Sequence, residues 1–161
     1  MRISRWMQLG QGLLAAGVMV AGATLAAAQA RKTPYWASIT KTEAMMRVGP
    51  SYDYPSSWLY RQRGLPVRVI QVLGSWRKVE DSTGTKGWMH VRLLGDAPTA
   101  IVIDSIAPLR EGRGDGGRVL FRAEPGVVGA ISECSGGWCL FDVGGKRGYV
   151  RAENLWGAAG R

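Results

Sequence analysis

The sequence predicts an all-β protein: two tandem small β-barrels behind an N-terminal export signal. Three observations carry that expectation. The 161 residues include 23 glycines and 7 prolines, which suits many turns and short strands and fits a helical bundle poorly. Between those turn signals, apolar and polar residues alternate. The chain also repeats itself at a spacing of 61 to 63 residues. At 46% hydrophobic and 20% charged, it has enough apolar side chain for a core and is no disordered tail.

The first element, residues 1–30, reads as a signal peptide. Arg2 and Arg5 form a positive start, and Leu13 to Ala28 is an uncharged apolar run. Ala28-Gln29-Ala30 supplies a small-x-small cleavage site, with cleavage after Ala30. The run has 16 residues, short of the roughly 20 that span a bilayer, so no stable transmembrane anchor is expected. The expected location is periplasmic or secreted.

Two copies of one unit follow, expected over 31–97 and 98–161. Trp76 precedes Trp138 by 62 residues, with Gly74 and Gly136 at the same offset. Gly87-Trp88 matches Gly148-Tyr149, and Leu94 matches Leu155, at 61. Upstream, Met46-Arg47-x-Gly49 matches Leu109-Arg110-x-Gly112 at 63, as Ala37 and Ala44 match Ala100 and Ala107. An offset drifting by one residue is what loop insertions produce.

Within the first copy, Val67 to Leu73, Trp76 to Asp81 and Gly87 to Arg92 read as strands. Gly74-Ser75 and Asp81-Ser82-Thr83-Gly84 are the turns between them. In the second copy the turns are Ser135-Gly136-Gly137 and Gly144-Gly145. Single helical turns are allowed near Ser51 to Ser57, Val91 to Leu94 and Ala152 to Leu155. Five short strands in about 60 residues favour a barrel, which removes the exposed edges an open sheet would carry. The join, Gly95 to Thr99, is short, so the barrels are expected side by side.

Cys134 and Cys139 flank Ser-Gly-Gly-Trp. In an oxidising compartment such a pair reads as a structural disulfide across a glycine turn. The alternative, a redox-active pair, usually has two residues between the cysteines, not four. With one histidine and two cysteines, a four-ligand Cys/His zinc site cannot form from one chain. No metal or cofactor is expected.

These segments resemble the bacterial SH3-like domain family, in the form found in exported proteins of Gram-negative bacteria. The first copy carries Arg47-x-Gly49-Pro50-Ser51-x-x-Tyr54-Pro55, Trp58-Leu59-Tyr60-Arg61, Gly64-Leu65-Pro66-Val67, Trp76-Arg77-x-Val79 and Gly87-Trp88-Met89-His90. The second carries Cys134-x-x-x-Trp138-Cys139, Gly148-Tyr149-Val150 and Asn154-Leu155-Trp156-Gly157. It departs where Gly49-Pro50-Ser51 becomes Gly112-Arg113-Gly114, and it has no counterparts of Tyr54 and Pro55.

The resemblance implies two SH3-like barrels serving as a binding module, often at the cell wall, with no catalysis. Trp76, Trp88, Trp138 and Tyr149 occupy repeat-equivalent strand positions and read first as core. Trp58 and Tyr60, two apart on a strand, read as sharing a face. Tyr52 and Tyr54 lie in the loop that borders the ligand groove of SH3-like barrels. With Trp58, Arg61 and Arg63 they are the candidate ligand-binding residues. His90 lacks a free thiol, and no Gly-x-Ser-x-Gly element is present, so His90 reads as a structural residue ending a strand.

The net charge of +9 comes mainly from 16 Arg against 5 Lys. Arginine forks recognise carboxylates and phosphates, and a solvated basic face is the alternative reading. The expected partner is peptidoglycan or another anionic envelope polymer. The alternative is a periplasmic adaptor that docks an envelope enzyme or a secreted peptide. No nucleic acid is expected, because export argues against it and a small barrel offers no recognition helix.

Overall fold

The computed structural model describes residues 31–159, so the expected signal peptide lies outside the described residues. Two antiparallel seven-stranded sheets make up the fold. The first contains β1 (Tyr35–Ile39), β2 (Ala44–Arg47), β3 (Ser56–Tyr60), β4 (Pro66–Leu73), β5 (Trp76–Glu80), β6 (Lys86–His90) and β7 (Leu94–Gly95). The second contains β8 (Thr99–Val102), β9 (Ala107–Arg110), β10 (Val119–Ala123), β11 (Val128–Ser135), β12 (Trp138–Val143), β13 (Lys146–Arg151) and β14 (Leu155–Trp156). The strand orders, β3-β2-β6-β5-β4-β1-β7 and β10-β9-β13-β12-β11-β8-β14, are the same pattern. A single 3-10 turn, Val91–Leu93 or Ala152–Asn154, precedes the last strand of each sheet. Among the described residues no helix is long and apolar enough to cross a membrane.

The two cores repeat position by position. Ile39, Met46, Val69, Val79 and Met89 fill the first, and Val102, Leu109, Ile131, Phe141 and Val150 fill the second. All ten side chains are essentially inaccessible. Burying each contributes about 1.5–3 kcal/mol, which is why a 61-to-63-residue repeat of apolar positions dictates a repeated fold.

Seven strands stand where five were expected in each copy. The additions are ones that alternation reveals poorly. β7 and β14 are two residues long, and β3 and β10 are edge strands with mostly exposed side chains. Trp58 and Tyr60 do not share an environment: Tyr60 is buried and donates its hydroxyl to Asp81, whereas Trp58 is 57% exposed on the edge strand. Burial, then the Asp81 hydrogen bond, pushes the Tyr60 hydroxyl pKa upward.

Contacts also join the two sheets. Trp36 of β1 donates Nε1–H to the carbonyl of Ala159 at 2.7 Å and meets Trp156 edge-on, ring centroids 5.1 Å apart. The Arg68 guanidinium lies 5.7 Å from the Trp156 ring centre. Cys134 and Cys139 are disulfide-bonded across the β11–β12 hairpin.

Candidate functional site

The principal candidate is a groove of about 550 Å³ on the first barrel. Its aromatic part is built by register. Trp76 opens β5 and pairs directly with His90 at the end of β6, so their rings meet edge-on at 5.3 Å. Tyr52, from the loop between β2 and β3, covers both: it stacks on His90 at 5.6 Å and meets Trp76 at 5.0 Å. Such offset and edge contacts add stability beyond area burial.

Arg47, the last residue of β2, holds that loop. Its Nη1 donates to the carbonyls of Tyr52 at 3.0 Å and Tyr54 at 2.6 Å, and its guanidinium lies 5.5 Å from the Tyr52 ring centre. Arg110, its repeat equivalent, donates to the carbonyl of Gly117 in the corresponding loop. His90 has a second structural role. Its Nδ1 accepts the Arg92 backbone N–H at 3.2 Å and caps the 3-10 turn, so Nδ1 carries no proton there. The Arg92 side chain returns to the groove and donates to the Tyr52 hydroxyl at 3.3 Å.

Met45 and Leu59, adjacent across the β2–β3 pair, supply an apolar wall, and Lys41 and Glu43 complete the rim. Three cations thus line the groove with one acid.

Of the five candidate ligand residues, the groove contains Tyr52 alone. Tyr54 is packed over Gly49 and 46% exposed. Trp58 stands on the edge strand. Arg61 is exposed 4.0 Å from Glu43, and Arg63 is exposed in the following loop. Sequence reasoning missed Trp76 as a groove residue, having placed it in the core with Trp88 and Trp138. Trp88 and Trp138 are indeed buried, while Trp76 is only half-buried.

The equivalent place on the second barrel is filled differently. Asp115 stands where Tyr52 does, and Arg151 where His90 does. Arg151 Nε donates to Asp115 Oδ1 at 3.0 Å, Nη2 donates to Oδ2, and the guanidinium lies 4.9 Å from the Trp138 ring centre. That hydrogen bonding holds the Asp115 carboxyl below its ordinary pKa.

A family model described as "Bacterial SH3 domain" matches residues 40–96 and again 104–157, together more than half of the chain. The protein belongs to the bacterial SH3 domain family. The groove therefore lies on its first SH3 domain and the Asp115–Arg151 pair on its second. Among solved structures, NlpC2 and NlpC1 from Trichomonas vaginalis are each 12% identical with a TM-score of 0.35. Those alignments cover 78% and 80% of this chain and 49% and 48% of those chains. An NlpC/P60 family protein from Bacillus cereus ATCC 10987 is 13% identical with a TM-score of 0.35, over 76% of this chain and 56% of that one. The chain spans about half the length of these proteins. A comparison with curated proteins gave no match.

Proposed function

We propose that this bacterial SH3 protein is a noncatalytic exported module that attaches, through the groove of its first domain, to peptidoglycan or another anionic polymer of the cell envelope. The carrying observation is the groove itself: an open aromatic face of Tyr52 and Trp76 bordered by Lys41, Arg47 and Arg92. Aromatic faces hold sugar and peptide surfaces, and cations beside them favour an anionic ligand. The noncatalytic reading rests on the residues that could have reacted. His90 is engaged by the Arg92 N–H and by Tyr52, and both cysteines are in a disulfide. Export rests on the sequence of residues 1–30.

The test is cosedimentation with purified peptidoglycan sacculi at low and near-physiological salt. Saturable pelleting is expected, weakened but not lost as salt rises. Tyr52→Ala and Trp76→Ala should each reduce it about tenfold or more, the scale of a buried aromatic contact. Trp58→Ala and Arg63→Ala should leave it unchanged. No pelleting at either salt overturns the wall reading, and equal pelleting by all four variants removes the groove from it.

A further inference from the structure

We infer that the groove of the first domain selects a carboxylate-bearing peptide over a neutral sugar chain. Lys41 and Arg92 would receive the carboxylate, and Tyr52 and Trp76 the adjoining atoms. This deepens the attachment reading and rests on the same groove.

The first support is charge without a partner. Among the described residues none of Lys41, Arg47 and Arg92 forms an ion pair. Arg47 is committed to two loop carbonyls, which leaves Lys41 and Arg92 as the cations available to a ligand. Glu43, the single acid lining the groove, lies 4.0 Å from Arg61.

The second support comes from the internal repeat, which acts as a control on the same scaffold. Lys41 corresponds to Asp104, three residues before the alanine that opens the next strand in each copy. Arg92 corresponds to Glu153, the middle residue of each 3-10 turn. Tyr52 corresponds to Asp115. Three positions that are Lys, Tyr and Arg in the first domain are thus Asp, Asp and Glu in the second. There the chain supplies its own carboxylate: Asp115 is forked onto Arg151, which rests on Trp138. The first domain keeps the tryptophan, replaces both partners of that pair with Tyr52 and His90, and reverses the charge at the two rim positions, which leaves Lys41 and Arg92 open to a carboxylate from outside. A neutral sugar on Tyr52 and Trp76 would offer Lys41 and Arg92 only uncharged oxygen acceptors, which make the weaker hydrogen bonds. A carboxylate gains charge-assisted hydrogen bonds there.

The test uses the full chain and two probes: acetyl-Ala-Glu-Ala with both carboxylates free, and its amide analogue, in which Gln replaces Glu and the C-terminus is amidated. Binding is followed by NMR at the Trp76 indole N–H, assigned with Trp76→Phe. The diacid should shift that resonance saturably at millimolar concentration, with the amide about tenfold weaker or more. Arg92→Glu and Lys41→Asp, which copy the second domain, should each abolish the difference while the other indole signals stay in place. A neutral N-acetylglucosamine tetramer should not displace the diacid. Equal affinity for diacid and amide, tighter binding of the tetramer, or no shift with the diacid would overturn the inference. Sacculus binding with equal affinity for both peptides would leave the wall reading standing and this one refuted. Diacid binding without sacculus binding would do the reverse.

Discussion

Gly148→Ala should destabilise the second domain by about 1–2 kcal/mol. The magnitude follows from where β13 crosses β9. A Cβ at Gly148 would lie 2.7 Å from Leu109 Cβ, 2.8 Å from the Leu109 carbonyl carbon and 3.0 Å from Arg110 N. Carbon atoms rest comfortably about 3.5–4.0 Å apart, so the strands must separate by roughly an ångström. The atoms that would have to yield are backbone and a side chain only 1% exposed. Overpacking of this kind costs about 1–3 kcal/mol, and contacts this short to backbone atoms belong in the upper part of that range, about 2–3 kcal/mol. Alanine recovers about 0.5–1 kcal/mol, because it loses less conformational freedom on folding than glycine. At about 4 °C per kcal/mol, the midpoint should fall by roughly 4–8 °C in calorimetry, with a matching shift in urea. Gly87→Ala should behave alike in the first domain, since its Cβ would meet Met46 Cγ at 2.5 Å and the Arg47 carbonyl oxygen at 2.9 Å. Gly116→Ala, in open space, is the control and should change stability by less than about 0.5 kcal/mol. A Gly148→Ala protein as stable as the parent would refute the close crossing and the reason for glycine at this repeated position.

Glu80 stands between Arg68 of β4 and Lys86 of β6 at directly paired positions. Glu80→Gln should cost about 1 kcal/mol at neutral pH. The Arg68 hydrogen bond holds the Glu80 carboxyl below its ordinary 4.5, so its stabilisation is complete above that value and lost as pH falls through the lowered pKa. Urea midpoints of parent and variant should therefore converge as the pH is taken progressively below 4.5, and a gap independent of pH would refute the assignment. The Cys134–Cys139 link closes a short loop, so Cys134→Ala with Cys139→Ala should lose about 2 kcal/mol, read by urea unfolding. Thiol titration of the denatured, unreduced protein should find no free thiol. Trp36→Ala removes the bond to Ala159 and the contact with Trp156, and calorimetry should then resolve one transition into two. A single unchanged transition would show that these contacts do not couple the domains.

The fold was legible because its determinants are local or repeated. Turn glycines, two-residue alternation and core positions at a fixed offset all lie in the sequence, and β4, β5, β6 and their equivalents follow from them. Strands set by pairing rather than pattern were not legible. β3 reads Ser-Ser-Trp-Leu-Tyr, with no alternation of apolar and polar, and exists because β2 pairs with it. The groove divides in the same way. Tyr52 was visible as an aromatic residue in a loop bordered by proline. Trp76 was not, because its fate depends on register: it faces His90 at the open end of the sheet, whereas Trp138 faces Arg151 and is buried beside it. Arg92 joins the groove because His90 caps the turn that carries it.

The duplication separates what the scaffold requires from what the groove requires. Arg47 and Arg110 do the same job in both copies, donating to carbonyls of the loop after the second strand, and the close-packed Gly87 and Gly148 admit the same strand crossing. These are scaffold residues, since they are shared by two domains whose surfaces differ. Among the positions that diverge are those around Trp76 and Trp138, where Lys41, Tyr52, His90 and Arg92 stand against Asp104, Asp115, Arg151 and Glu153. Divergence at these surface positions of a retained barrel changes what that surface can bind. The second domain closes its site with an internal ion pair, and it also carries the disulfide and the residues that dock on Trp36. On the proposed reading, ligand binding falls to the first domain and support to the second. Arg151→His with Asp115→Tyr, which transplants the first domain's residues, asks whether the aromatic face alone can be moved. Without Lys41 and Arg92 equivalents, the transplanted face should stack but still fail to prefer a carboxylate.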